Sequence, residues 1–405
     1  MISIPIPRKT VLALLGACAC AGCERSSPNA EPVVRDSSGI VIVENAHPAW
    51  QDGRGWRLSE VPVLSIGKAE GRLEEELSRV TDALRLPDGR IVIANDGSKE
   101  LRYFSADGRF LGAAGRDGEG PAEFRAIARL WLAGGDTVVA YDPLLHRLTS
   151  FTGAGTLAGS VPVDPLPGGG PLPPEVVGRF ADGSLVARAL LPLPLDAPAG
   201  MKRDPVGYFR IPTGDAAPAP LGSFPGDESF VIHEGSGVSA NQPMFGRRTQ
   251  VAVGDERFYV ASGDAYRIDE HGAHGRLVRS IRARQPAVRV TIADVERFRH
   301  DYLEAVAPEE RPRLERIFAR VPVPSTFPAH GRMFLDAAGN LWVAAYRRPG
   351  EERQTWNVFD PRGRWLGPVV VPGRFRITAA GGGVVMGVRR DEQDVEQVVI
   401  YSLVR

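Results

Sequence analysis

The side chains that could do chemistry fall into two groups. One is a crowd of cysteines at the N-terminus, Cys18, Cys20 and Cys23, with no cysteine after them. The other is a set of arginines: Arg188, Arg347, Arg348, Arg389 and Arg390 each follow a short apolar run, and Arg247-Arg248 sit in a polar interval. Guanidinium forks hold carboxylates and phosphates through paired N–H donors, so a face that gathers these arginines would suit an anionic ligand. Glu351, Glu352, Asp391 and Asp394 stand close by, and a rim whose charges neutralise one another is the competing expectation. The seven histidines are scattered, and no His-Glu-x-x-His helix, nucleophile elbow, phosphate loop or EF-hand spelling occurs. No catalytic, cofactor or metal residue is therefore assigned. A site assembled from several strands would leave no such spelling.

Arg8-Lys9 precedes the apolar stretch Thr10-Val11-Leu12-Ala13-Leu14-Leu15-Gly16-Ala17, which has the form of a secretory signal and is too short to cross a bilayer. Leu15-Gly16-Ala17-Cys18 is similar to the bacterial lipobox, in which the cysteine becomes the lipidated first residue. The expectation is a signal at 1–17, lipidation at Cys18 (alternatively Cys23), and a flexible tether at 18–37, with an ordinary cleaved signal as the other reading. The address is the bacterial cell envelope, with contact to the membrane by lipid anchor only. None of these readings leaves a cysteine in the folded part, so no disulfide can hold it. Basic and acidic residues number 49 each, and no global attraction to nucleic acid follows.

The elements that must position the arginines are strands. Pro87-Asp88-Gly89, Gly134-Gly135-Asp136, Ala181-Asp182-Gly183, Val253-Gly254-Asp255, Ala337-Ala338-Gly339-Asn340 and Gly381-Gly382-Gly383 each break one apolar run and start another. Asp, Asn and Gly tolerate positive φ, so these are hairpin turns, and the Asp residues in them are turn chemistry. Six such hairpins at propeller-like spacing predict an all-β fold, one six-bladed β-propeller over 38–405. The last blade lacks an outer strand at the C-terminus; residues 61–67 resemble one and are expected to complete it, removing an open edge. Extra chain falls at 190–205, 225–248 and 284–326, with a helical insertion at about 286–322 in the last. The last has a Thr291/Asp294 capping pattern, with Val295, Phe298 and Tyr302 at helical spacing and a second start at Pro308, which predicts a small helical insertion between blades four and five. All three insertions leave from one rim, where ligand-binding loops are expected.

Residues 84–95, 101–111 and 115–124, with Gly339-Asn340-Leu341-Trp342-Val343 and Phe359-Asp360-Pro361-Arg362-Gly363, resemble the NHL-related six-bladed β-propeller lipoproteins of bacteria. The resemblance implies fold and envelope location, and supplies no catalytic set. Two functions follow as expectations. One is a non-enzymatic binding or scaffold propeller, acting as a monomer, with an envelope protein, peptide or glycan as the expected partner. The other is a divalent-metal-dependent hydrolase or lyase similar to the gluconolactonase and strictosidine-synthase propellers. The second needs converging oxygen ligands, for which Asp82 and the 332–336 stretch are the candidates.

Overall fold

A computed structural model of the chain describes residues 31–50, 54–68, 73–166, 172–214, 216–235, 237–391 and 393–405. Cys18, Cys23 and the signal expected at 1–17 lie outside the described residues. Turn chemistry sets the first sheet. Gly89 has φ +91°, and Asp88 Oδ1 accepts from the Arg90 amide at 3.0 Å, so the runs on either side fold back as strands Val80–Arg85 and Ile91–Asn95. Glu100–Phe104 and Phe110–Ala114 complete an antiparallel meander of four. Further meanders follow in chain order. They begin at Arg129–Ala133, Glu175–Arg179, Gln250–Val253, Met333–Leu335 and Phe375–Gly381. The meander starting at Phe375–Gly381 has three strands of its own, ending in Glu396–Val404. Leu64–Ile66 pairs antiparallel with that strand, Leu64 opposite Ile400, and Arg57–Leu58 continues along the same edge.

The second strands explain why both faces of each sheet are apolar. Ile91 and Ile93 pack with Met386, Val388 and Ile400 of the last sheet, whereas Val92 and Ala94 pack with Val138 and Ala140 of the next. Val139 and Tyr141 then join Leu185 and Ala187, and Val186 joins Phe258 and Val260. Two more clusters bind the fourth sheet to the fifth and the fifth to the sixth. Period-two alternation thus serves two interfaces from one strand. Each fully buried Ile, Val, Leu or Phe contributes roughly 1.5–3 kcal/mol, and these all-β, propeller-like interfaces carry the stability.

The N-terminal segment does more than supply one strand. Val33–Ser37, within the stretch expected to be tether, pairs with Ile40–Asn45, and the latter adds parallel to Leu277–Ala283 on the outer edge of the fourth sheet. The buried Asn45 side chain donates to Arg282 O and Gly363 O and accepts from the Trp365 amide, clamping fourth sheet to fifth. Ala49 and Trp50 donate to Trp365 O and Leu366 O before the chain reaches the sixth sheet. These residues resemble a polar linker because their partners stand hundreds of positions away.

The insertions are also more ordered than loops. Gly200–Lys202 from one pairs with Ser229–Glu234 from another, which pairs in turn with Gly237–Asn241, giving a small extra sheet. Between Leu277–Ala283 and Met333–Leu335 the chain forms helices α1 (Ile292–Glu304) and α2 (Arg311–Arg320). Thr291 and Asp294 make a reciprocal capping box at α1. Pro308 opens a 3-10 turn, and α2 proper begins three residues later. Phe298 and Phe318 meet Met244, Phe245 and Phe327, so the helical pair has an apolar core of its own.

Candidate functional site

The first strand of every meander has a polar or charged residue at or close to its start. Asp82, Arg129, Glu175, Gln250, Arg332 and Arg376 lie at or beside these starts, and together they border one cavity of about 530 Å³. His146 and Leu190, from connections between second and third strands, reach the same cavity, so it opens at the end of the molecule that carries the insertions.

Three guanidinium groups dominate it. Arg376 donates to Thr81 O at 2.9 Å and Val80 O at 2.6 Å, tying the sixth sheet to the first. Arg332 donates to Ile377 O at 3.0 Å and lies 5.1 Å from the Trp356 ring centroid, a cation–π contact. Arg129 has no ion pair or hydrogen bond among the described residues. None of the three has a carboxylate within ion-pair distance. The carboxylate whose charge acts most on Arg332 and Arg376 is Asp82, and its oxygens are already engaged by the amides of Ala83 at 2.9 Å and Leu130 at 3.0 Å. Glu175 is occupied by Arg188 at 2.8 Å.

Burial is the chief cause of the shifts here. It pushes the Asp82 carboxyl up, against the lowering effect of the Leu130 amide and Arg129. It pulls Arg332 down to about 10, with Arg376 and Arg129 adding like-charge repulsion, and it lowers Arg376 as well. Arg129, Arg332 and Arg376 are nevertheless exposed to solvent, which screens their mutual repulsion. Repulsion among the three places them within one electrostatic neighbourhood.

Gln250 and Arg332 also border a second cavity of about 600 Å³, enclosed by the helical pair and the insertion before it. Its wall is largely apolar, including Met244, Phe245, Phe298, Leu314, Phe318 and Tyr346. Such a volume, apolar with a few convergent polar groups, is typical of small-ligand sites. α1 and α2 are fastened over it by Arg348, which bonds Asp294 at 2.9 Å and lies 5.5 Å from the Phe327 ring. Burial would raise Asp294, but bonds from Thr291 and Arg348 hold its carboxyl below the usual range.

The arginines singled out from sequence mostly lie elsewhere. Arg188 pairs with Glu175 and, at 3.7 Å, Asp227; Arg247 with Glu228 and Asp264, both at 3.4 Å; Arg348 with Asp294; Arg390 with Asp394 at 2.7 Å and Glu396 at 2.9 Å. Arg347 donates to Gly373 O and Arg389 to Gln397 Oε1 at 2.7 Å. Arg248 differs: it borders the second cavity beside Tyr346 with no ion pair or hydrogen bond among the described residues. Asp336 accepts from the Ala338 and Asn340 amides, Asn340 Nδ2 and Trp342 Nε1, which is turn and core chemistry. Among the described residues no three His, Cys, Asp or Glu side chains converge as metal ligands. Arg129 and Arg376 were not marked by any local motif. Aligning the six first strands on their opening residues is the signal that finds them.

No family model matches the chain, and no curated protein matches it in sequence. Solved structures do resemble it in shape. A member of the DUF4221 family from Bacteroides vulgatus has a TM-score of 0.50 at 9% identity, over 86% of this chain and 98% of that one. An exported protein from Bacteroides fragilis gives 0.48 at 9% identity, over 90% and 100%. Virginiamycin B lyase from Staphylococcus aureus gives 0.42 at 10% identity, over 86% and 100%. At such identities the likeness speaks to fold alone.

Proposed function

We propose that the chain is a six-bladed β-propeller lipoprotein, related to the NHL type, that binds a ligand in the bacterial envelope. The anchor in this reading is a lipid on Cys18, or alternatively Cys23, and no helix among the described residues is long and apolar enough to cross a membrane. The Leu64–Ile66 strand closes the sixth blade, and the helical pair between the fourth and fifth blades covers the mouth of the central channel. The observation that carries the reading is the pair of adjoining cavities, bordered by all six first strands at one end and by α1 and α2 at the other.

Binding is favoured over metal-dependent hydrolysis by the surroundings of Asp82. A divalent cation there would face three guanidinium groups, and two of the carboxylate's lone pairs are already taken by backbone amides. The test is capture from envelope extract with the full chain and with a variant in which 286–322 is replaced by a short Gly-Ser linker. Loss of a captured ligand from the shortened chain, with an unchanged melting curve, supports the reading. Equal capture by both refutes it. Labelling with radioactive palmitate in Cys18→Ser and Cys23→Ser variants identifies the anchored residue.

A further inference from the structure

From the joined cavities we infer that the ligand is an amphiphilic anion: a carboxylate or phosphate head held by Arg129, Arg332 and Arg376 in the axial cavity, with an apolar body lying under α1 and α2. The inference rests on the binding reading above and names the chemical class that the site accepts.

Three observations carry it independently. The first is the charge balance. Arg188, Arg247, Arg348 and Arg390 each find a carboxylate, but none of the three guanidiniums here has one within ion-pair distance; Asp82, whose charge acts on Arg332 and Arg376, already accepts two amide hydrogen bonds, and Glu396 acts on Arg376 more weakly. Gathering like charges around one cavity concentrates a positive potential that draws anions in. The second is spare donor capacity. Arg129 donates to nothing among the described residues, and Arg332 makes one hydrogen bond to protein. N–H groups therefore remain for the forked contacts that carboxylate and phosphate oxygens accept. The third is continuity: Arg332 and Gln250 border both cavities, so an anion at the arginines has its substituent directed toward Phe298, Leu314 and Phe318. A bare inorganic anion would leave that apolar wall unused. A neutral lipid would leave the arginines without a partner.

The head could belong to a fatty acid or to a phosphate monoester, and the experiment separates them. The full chain is titrated by calorimetry, below micelle-forming concentrations, with dodecanoate, dodecyl phosphate, dodecanol, inorganic phosphate and dodecyltrimethylammonium. One-to-one binding of dodecanoate or dodecyl phosphate, at least about tenfold tighter than dodecanol and inorganic phosphate, is expected from charge-assisted paired contacts; whichever of the two is tighter identifies the head group. Arg129→Gln should weaken that binding about tenfold while leaving dodecanol unchanged. Should that variant not fold, Arg332→Gln reads the same quantity. Phe318→Ser should flatten the dependence on chain length between octanoate and dodecanoate. Dodecanol binding as tightly as dodecanoate overturns the ionic half, and inorganic phosphate binding as tightly as dodecyl phosphate overturns the apolar half. Failure of every probe, with capture still lost from the chain shortened at 286–322, discards the amphiphile and leaves the binding reading standing.

Discussion

The arginines of the rim and those of the axis have the same side chain and opposite circumstances. On the rim, Arg390 lies between Asp394 and Glu396, and Arg188 between Glu175 and Asp227, so each positive charge is neutralised where it stands. Around the cavity bordered by the first strands, Arg129, Arg332 and Arg376 repel one another with no carboxylate in ion-pair reach. A rim arginine spends its charge on a neighbouring carboxylate, whereas Arg376 and Arg332 bond only backbone carbonyls and Arg129 keeps its guanidinium donors free among the described residues. Local charge alone does not tell them apart; the number of carboxylates within reach does.

The comparison breaks or sharpens most forcefully at an arginine whose partner is wholly buried. Glu270 is fully buried and is held by Arg257 and, at 2.9 Å, Arg279. Arg279→Ala leaves half of that carboxylate's charge uncompensated away from water and should cost about 2–3 kcal/mol in urea unfolding. A loss below 0.5 kcal/mol, on the scale of an ordinary surface change, would mean that pairing is not what holds these arginines.

Acid supplies the next test. His271 and His330 are held below the usual 6.5, chiefly by burial, against the raising effect of their backbone partners Gly275 and Gly331. Both are therefore neutral in the fold, and below pH 6.5 the unfolded chain takes up protons that the fold refuses. Stability is complete above about 6.5 and declines as the pH falls toward the lower folded values. Asp82, raised by burial, acts in the opposite sense, its neutral form favouring the fold only as the carboxylate range is approached. Melting temperatures recorded between about pH 7 and 5 should fall, and His271→Gln should flatten the slope. A level profile for the unaltered protein would show that neither ring resists protonation.

Smaller effects separate rim from axis directly. Arg390→Ala removes an exposed pair with Asp394 and leaves the buried Glu396 carboxylate with the Val80 amide as donor, and should cost about 1–2 kcal/mol, read as a lower denaturation midpoint. Arg129→Gln removes an exposed charge that has no ion pair among the described residues, losing its attraction to Asp82 and relieving Arg332, so its midpoint should stay within about 0.5 kcal/mol of the original. A clear loss at Arg129 would erase the distinction.

The turns and second strands were legible in the sequence because their causes are local. Pro87-Asp88-Gly89 must turn, and Ile91 to Ala94 must bury both faces. The α1 cap was legible for the same reason, since Thr291 and Asp294 meet within one turn. The axial site was hidden because its members come from first strands spread between residues 82 and 376, each contributing one ordinary charged residue. Arg376 in particular stands among apolar strand residues and acquires meaning only beside Arg332. The hairpin of Val33–Ser37 and Ile40–Asn45 was hidden for a related reason: its partner strand, Leu277–Ala283, is remote, and polar Asp36 and Ser37 read as linker.

That N-terminal segment also imposes an order on biogenesis. Residues near Asn45 and Leu64 precede their hydrogen-bonding partners around Ala283, Trp365 and Ile400 by hundreds of positions. During synthesis these early residues must wait unpaired while the sheets between them are made. Their contacts can form only once Glu396–Val404 has been synthesised, and a chain cut before that strand would leave Leu64–Ile66 without its partner.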